Sequence, residues 1–184
     1  MTTILTPDYD DRIWPSVSIV NIKALVGISL TSGTPLGQRF PERLAISQND
    51  NINPPDFFYV GAMPVISHRL AETLKEFECK FELFELDASK LVGNGRYYFL
   101  NLLESIERLD WRESNFTERG GFATKITKLR LLDVSVEPAV YRISKTIPSL
   151  IGVSDVACHI LKEKKLTGFR LVKAEDWENS AAIA

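Results

Sequence analysis

One phrase occurs twice in this chain. Val65 to Glu76 reads VISHRLAETLKE, and Gly152 to Glu163 reads GVSDVACHILKE. Ser67 falls on Ser154, Leu74 on Leu161, Lys75 on Lys162 and Glu76 on Glu163, with Ile66 on Val153 and Leu70 on Ala157. In each copy an apolar segment runs into a serine. A serine there accepts a hydrogen bond from an unpaired amide in the first turn of a helix. Leu70, Leu74 and Phe77 then recur at helical spacing, and Ala157, Ile160 and Leu161 give the second copy its apolar face. Both copies end in a strand-like run, FELFEL from Phe81 and GFRLVK from Gly168. The pattern predicts two serine-capped helices, near 67–78 and 154–164, flanked by strands. The expected fold is α+β with a mainly antiparallel or mixed sheet. Internal duplication and two separate solutions to one packing problem both fit the pairing.

The rest of the chain supplies further strands. Ser16–Leu30 is rich in Val and Ile and reads as a strand bent at Gly27. SQNDNINPPD (Ser47–Asp56) is a loop, because its double proline removes two backbone donors. Asn94-Gly95 suits a type I′ turn, which predicts a hairpin joining FELFEL to the RYYFLNLL strand. SIERLDWRES is either a third strand or a short helix, while Phe122–Leu132 and Ala139–Ser144 read as strands.

Charge and motifs narrow the function. The net charge is −2, against a nucleic-acid binder that works through a basic face. No apolar run is long enough to span a membrane, and the acidic opening MTTILTPDYDD lacks the apolar core of a signal peptide. The expectation is a soluble cytoplasmic protein. Cys79 and Cys158 belong to no C-x-x-C motif and read as buried, reduced thiols in ordered elements. His68 and His159 have no metal-ligand spacing, and Cys158 and His159, adjacent on a helix, point about 100° apart. GNG lacks the third glycine of a dinucleotide loop. The basic run Lys162–Lys165 complements the negative end of a helix dipole. The sequence thus offers no catalytic, cofactor-binding or metal-binding residue, and a non-enzyme is expected.

PDFFYVGAMPVISHRLAETLKE, YYFLNLLESIERLDWRES, VYRIS and GVSDVACHILKEKKLTGFRL follow one another in order. Together they resemble a family of bacterial immunity proteins from polymorphic toxin systems, formerly grouped as a domain of unknown function. The resembling features are Pro55-Asp56, Ser67, Asn101, Asp110 with Ser114, and Ser154 with LTGFRL. They cover residues 54–171 of a single expected domain, in which 1–53 is a less characteristic, β-rich part. The stretch TERGGFATKITKLRLLDVSVEPA (Thr117–Ala139) does not match. The resemblance implies a protein that binds and neutralises one cognate toxin in the cytoplasm, and it brings no catalytic residues. The readings left beside it are an adaptor or scaffold subunit, and an enzyme with an unrecognised site in a deep polar pocket.

A docking face is the last expectation. Glu72, Glu76, Glu78, Glu82, Glu85 and Asp87 crowd one segment with only Lys75 and Lys80 between them. Glu72 and Glu76 lie opposite Leu70 and Leu74 on the helix, and Glu82 alternates with Phe81 and Leu83 on the strand. An acidic surface built from Glu72, Glu76, Glu82, Glu85 and Asp87 would suit the basic cleft of a nuclease-like toxin.

Overall fold

The computed structural model describes residues 2–8, 14–147 and 150–177. Its strands and helices run in the order β1 (Thr3–Pro7), β2 (Val17–Ile19), β3 (Ala45–Gln48), β4 (Phe57–Val60), β5 (Met63–Ser67), α1 (His68–Lys75), β6 (Phe81–Glu85), β7 (Asp87–Lys90) and β8 (Tyr97–Leu102). There follow β9 (Ser105–Ile106), β10 (Asn115–Arg119), β11 (Phe122–Lys128), β12 (Val140–Ile143), β13 (Thr146–Ile147), β14 (Leu150–Val153), α2 (Asp155–Glu163) and β15 (Phe169–Lys173). The fold is α+β, with antiparallel and mixed sheets and two α-helices among the described residues.

Both helices begin where their serines place them. Ser67 and Ser154 hold nearly the same extended backbone, φ −69°, ψ 162° and φ −68°, ψ 161°. The Ser67 hydroxyl accepts from the Leu70 amide at 3.2 Å, and the Ser154 hydroxyl from the Ala157 amide at 3.3 Å. α1 is shorter than its pattern predicts: it stops at Lys75, and Phe77 packs onto the core from the following turn. In α2 the inward positions are Ala157, Cys158 and Leu161, so Cys158 takes a place assigned to Ile160, which is half-buried. Cys79 lies in the coil after α1.

The similarity between the two copies extends beyond the helix to the topology. In the first, the β4–β5 hairpin enters α1, β6 returns, and β8 wedges antiparallel between β5 and β6, giving the order β4-β5-β8-β6. In the second, β12 and β14 pair antiparallel, α2 follows, β15 returns, and β1 wedges between β14 and β15. Each unit is a split β-α-β with a third strand through its middle. The wedge follows the first unit in sequence and precedes the second. Even the hinge contact repeats: Ser67 N–H donates to Asp56 O at 2.8 Å, and Ser154 N–H to Ala139 O at 3.0 Å.

Three cores result. Leu70, Ala71 and Leu74 of α1 share one with Ala157, Cys158 and Leu161 of α2, against Tyr98, Leu100 and Leu102 of β8. The period-2 alternation of β8 sends Tyr97 and Phe99 to a second core behind the sheet. That core is closed by Leu36, Phe40, Leu44 and Ile46, and Phe40 stacks on Phe84 and Phe99 with ring centroids 4.3 and 5.2 Å apart. A third core, with Tyr141, Leu109, Ile126 and Trp177, lies behind the other sheet, under the β10–β11 hairpin.

Several expectations are corrected. Ser16–Leu30 is a strand only over β2; Ile22–Leu25 form a 3-10 turn, and Val20, Ile22 and Val26 are exposed, so Val and Ile content there does not mark a buried strand. Residues 1–53 are less β-rich than expected, and β1 belongs to the middle of the C-terminal sheet. Part of that stretch, residues 9–13, lies outside the described residues. The type I′ turn at Asn94-Gly95 is absent: Gly95 has φ −71°, and the positive φ angles fall on Gly93 and Asn94. β6 and β8 do pair antiparallel, but an excursion through β7, which joins β3, separates them. SIERLDWRES is the short strand β9 and a turn, and the strand read as Phe122–Leu132 ends at Lys128.

The two units are joined at Asp56. Its Oδ1 accepts from the Ser67 hydroxyl at 2.7 Å, and its Oδ2 accepts from the Thr167 amide at 2.9 Å and the Thr167 hydroxyl at 3.1 Å. Arg69 adds an ion pair at 3.0 Å. Beside it, Phe57 N–H donates to Thr167 O at 3.1 Å. Gly168 has φ +90°, and a Cβ there would overlap Phe57 O, so only glycine lets the chain pass. Asp56→Ala strands the Ser67 and Thr167 donors and should lower unfolding free energy by about 3 kcal/mol. Ser67→Ala and Ser154→Ala should each cost about 1 kcal/mol. Urea denaturation measures all three, and an unchanged midpoint in either serine variant would remove the cap from the account of that helix.

Candidate functional site

Of the acidic segment, Glu82 alone is covered, while Glu72, Glu76, Glu85 and Asp87 are exposed. Glu72 and Glu76 are exposed on and just after α1, but each has a cation: Lys75 Nζ is 2.6 Å from Glu72, and Lys164 Nζ is 2.8 Å from Glu76. Glu85, on the same side of β6 as Phe81 and Leu83, takes Arg96, with 3.0 and 3.1 Å hydrogen bonds to its two oxygens. Those bonds hold its carboxyl below its ordinary pKa, as the Lys75 bond does for Glu72. Asp87 is exposed and accepts from the Ser89 amide at 3.1 Å.

Glu82 is different. It points away from Phe81 and Leu83 as its alternation requires, but that side of β6 is covered. Its two oxygens accept from the Leu36 amide at 2.8 Å, the Gly37 amide at 3.0 Å and Asn101 Nδ2 at 2.9 Å. Burial pushes its pKa upward. The Leu36 amide, Asn101 and the Gly37 amide outweigh that and leave it below the usual glutamate value. Glu82 is an internal tie for the segment from Ser29 to Gly37. Asn101, buried in β8, fixes the same segment by donating to Thr34 O at 2.9 Å.

That segment closes a cavity of about 570 Å³ between the two units. Leu30, Tyr59, Pro64, Leu100, Leu102 and Ile151 supply most of its wall, with Phe122 of β11 at one side. The polar lining includes Ser29, Thr31, Ser32, Asn101, Arg142 and Thr146. Arg142 reaches across from β12 and donates through Nη1 to Thr31 O and through Nη2 to Ser32 O, the latter at 2.6 Å. Its Nε is buried without a partner. Burial draws its pKa below the usual arginine value. Among the described residues, the lining holds no carboxylate, imidazole, thiol or amine that could serve as a general base.

The polar residues that carry the family resemblance are occupied in the frame. Asp56 has four partners; Tyr97 O–H donates to Pro54 O at 3.1 Å; Asp110 Oδ1 accepts from the amides of Arg112 and Glu113. Ser114 both donates to Arg130 O and accepts from its amide. Cys158 is buried, and burial followed by the charge of Glu104 raises the Cys79 thiol to about 11. His68 meets the Tyr98 hydroxyl at 3.2 Å and His159 meets Glu163 at 3.2 Å. No group of three His, Cys, Asp or Glu side chains placed to hold a metal occurs among the described residues, and no described helix is long and apolar enough to cross a membrane.

Sequence reasoning missed Arg142 and the inward role of Glu82. The signal for Arg142 was available: one cation in the otherwise apolar strand VYRI. Glu82 gave none, because alternation tells which side a strand residue faces and not what covers that side.

Glu82 generates a pH prediction. Its pKa is lowered on folding, so its contribution to stability is present above the unfolded value of about 4.5 and is lost as pH falls through the folded value. Wild type should therefore lose more stability than Glu82→Gln between pH 5.5 and 3.5, read from denaturation midpoints. Parallel losses in the two proteins would show that Glu82 does not titrate with folding.

Comparison with protein-family models finds no match, and comparison with curated proteins finds none either.

Proposed function

We propose that this chain is an immunity protein: it binds one cognate bacterial toxin in the cytoplasm and neutralises it without chemistry of its own. One observation carries the reading. The polar residues of the resembling segments, Asp56, Ser67, Asn101, Asp110 and Ser114, are spent on intramolecular bonds within the frame and do not converge on a shared site. Residues consumed in this way support a rigid scaffold that presents surface to a partner. The cavity favours an enzyme less, because the one charged group among the described residues of its lining is a guanidinium, which does not exchange protons at neutral pH.

The docking proposal keeps the exposed acids and releases Glu82 from it. Glu72, Glu76 and Glu85 offer carboxylates on the α1 side, with Asp87 beyond them, each already balanced locally by a cation or an amide. A partner with a strongly basic cleft, such as a nuclease-like domain, can compete for these carboxylates, because exposed pairs are weak.

Co-expression with the product of the adjacent open reading frame tests the function. The expected result is restored growth and a stable complex; a neighbour whose product is harmless and does not bind would overturn it. Reversing Glu72, Glu76 and Glu85 to Lys should slow association with that toxin about tenfold at low salt while the isolated chain stays folded. Association at the wild-type rate would move the docking face elsewhere, to β10 and the turn that joins it to β11 (residues 115–122) first.

A further inference from the structure

The cavity between the two units has a composition that the scaffold itself does not need. Its wall is mostly apolar, and its volume of about 570 Å³ falls within the range of roughly 300–1,000 Å³ usual for small-molecule sites. Into this wall comes one cation. Among the described residues no carboxylate pairs with Arg142; its two side-chain acceptors are the neutral carbonyls of Thr31 and Ser32. A guanidinium has five N–H donors. Two are accounted for, and Nε is shut away from solvent without a partner. A half-buried charge without a counter-ion is costly, and proteins ordinarily supply one. Arg108 is the contrast within this chain: more deeply buried than Arg142, it has the Glu137 carboxylate at 2.7 Å.

We propose that the cavity binds a small carboxylate with an apolar body, whose carboxylate is the missing counter-ion of Arg142. The apolar body lies against Leu30, Tyr59, Pro64, Leu100, Leu102 and Ile151. The two adjacent carbonyls of Thr31 and Ser32 occupy the guanidinium much as the two oxygens of a carboxylate would. The segment that carries them therefore stands in the place the ligand's head takes, and it yields when the ligand enters. Two ties at its far end, Asn101 to Thr34 O and Glu82 to the Leu36 and Gly37 amides, keep it on the sheet while residues 29–33 shift. Gly33, at φ +63°, sits where a Cβ would overlap the Arg142 guanidinium, so a side chain there would push the guanidinium from its place. This inference rests on the cavity alone and not on the toxin reading, and its test needs no toxin.

Decanoate and decan-1-ol are the probes, titrated into the full chain by calorimetry below their aggregation concentrations. They share an apolar chain and differ in the head group. The expected result is one decanoate per chain, bound at least tenfold more tightly than decanol. Ala62→Trp blocks the mouth from the exposed β4–β5 turn, outside the core, and should abolish binding of both. Arg142→Gln should bring decanoate down to the decanol affinity and leave decanol unchanged. Should Arg142→Gln not fold, Arg142→Lys serves: it keeps the charge, loses the fork, and should still weaken decanoate relative to decanol. Decanoate binding no tighter than decanol, binding at several sites per chain, or binding indifferent to Ala62→Trp overturns the proposal.

Discussion

A single carboxylate decides how the two halves of this protein meet. Each half is a hairpin, a capped helix and a returning strand, and each could in principle pack in several ways against the other through apolar side chains. Hydrophobic contact is not directional. Asp56 is. With one oxygen it fixes the hydroxyl that caps α1, and with the other it receives the amide and hydroxyl of Thr167 from the turn that follows α2. The start of one helix is thereby set against the end of the other. Gly168 completes the arrangement by admitting the backbone of Phe57 at a separation that any side chain would forbid. The equivalent position in the second unit is Ala139, which makes the same backbone bond to its serine and has no side chain with which to make the rest. The second unit therefore has no carboxylate at this position. Beside Ala139, the Cys79 thiol lies against the Val140 amide, a much weaker contact.

The repeated phrase made the two helices and the strands after them legible, because it joins two independent signals: an apolar period of 3.6 and a serine where the period starts. The strands of the core were legible for a similar reason; Phe81–Glu85, Val140–Ile143 and Phe169–Lys173 are short runs of apolar and aromatic residues interrupted by single charges, with turn residues around them. What failed has one cause in several places. Val20, Ile22 and Val26 satisfy a strand propensity but face solvent, since β-propensity records fit to a half-buried surface and this segment has none beneath it. Asn94-Gly95 satisfies a turn rule, but the chain leaves the sheet at Glu85 to pair β7 with β3 before returning. Glu82 satisfies an alternation rule, but residues 34–40 cover the side it faces, held by Phe40 on Phe84 and Phe99. Local rules state what a segment can do. Which segment lies on top of it is a long-range fact.

The candidate site was illegible for the same reason. The cavity wall is assembled from residues 29–32, the β4–β5 hairpin, β8, β11, and the β12–β14 region, and no local pattern joins these separate stretches to one another. Arg142 reads as part of the strand Ala139–Ser144, and its backbone lies in β12. Its guanidinium lies between two units whose relative placement depends on Asp56.

The wedge strands show why the repeat is visible in the helices and hidden in the rest. Both units need a third strand, antiparallel to the other two, to bridge strands that the helix crossover leaves apart. The first unit finds it in β8, the next long strand along the chain, so residues 57–102 close on themselves. The second unit ends with β15 close to the C-terminal end of the described chain, and it takes β1 instead, from the opposite end. Its hairpin, helix and return strand match those of the first unit, while its central strand is more than 140 residues removed from either neighbour in sequence. The second sheet therefore has a gap until the N-terminal strand arrives, and the loop entropy of bringing it there grows only slowly with the length between. Locally complete on one side and dependent on distant chain on the other, the two units cannot be separated into independent domains at the boundary the repeat suggests. The shared core of α1 and α2, and the Asp56 joint, bind the self-sufficient half to the dependent one.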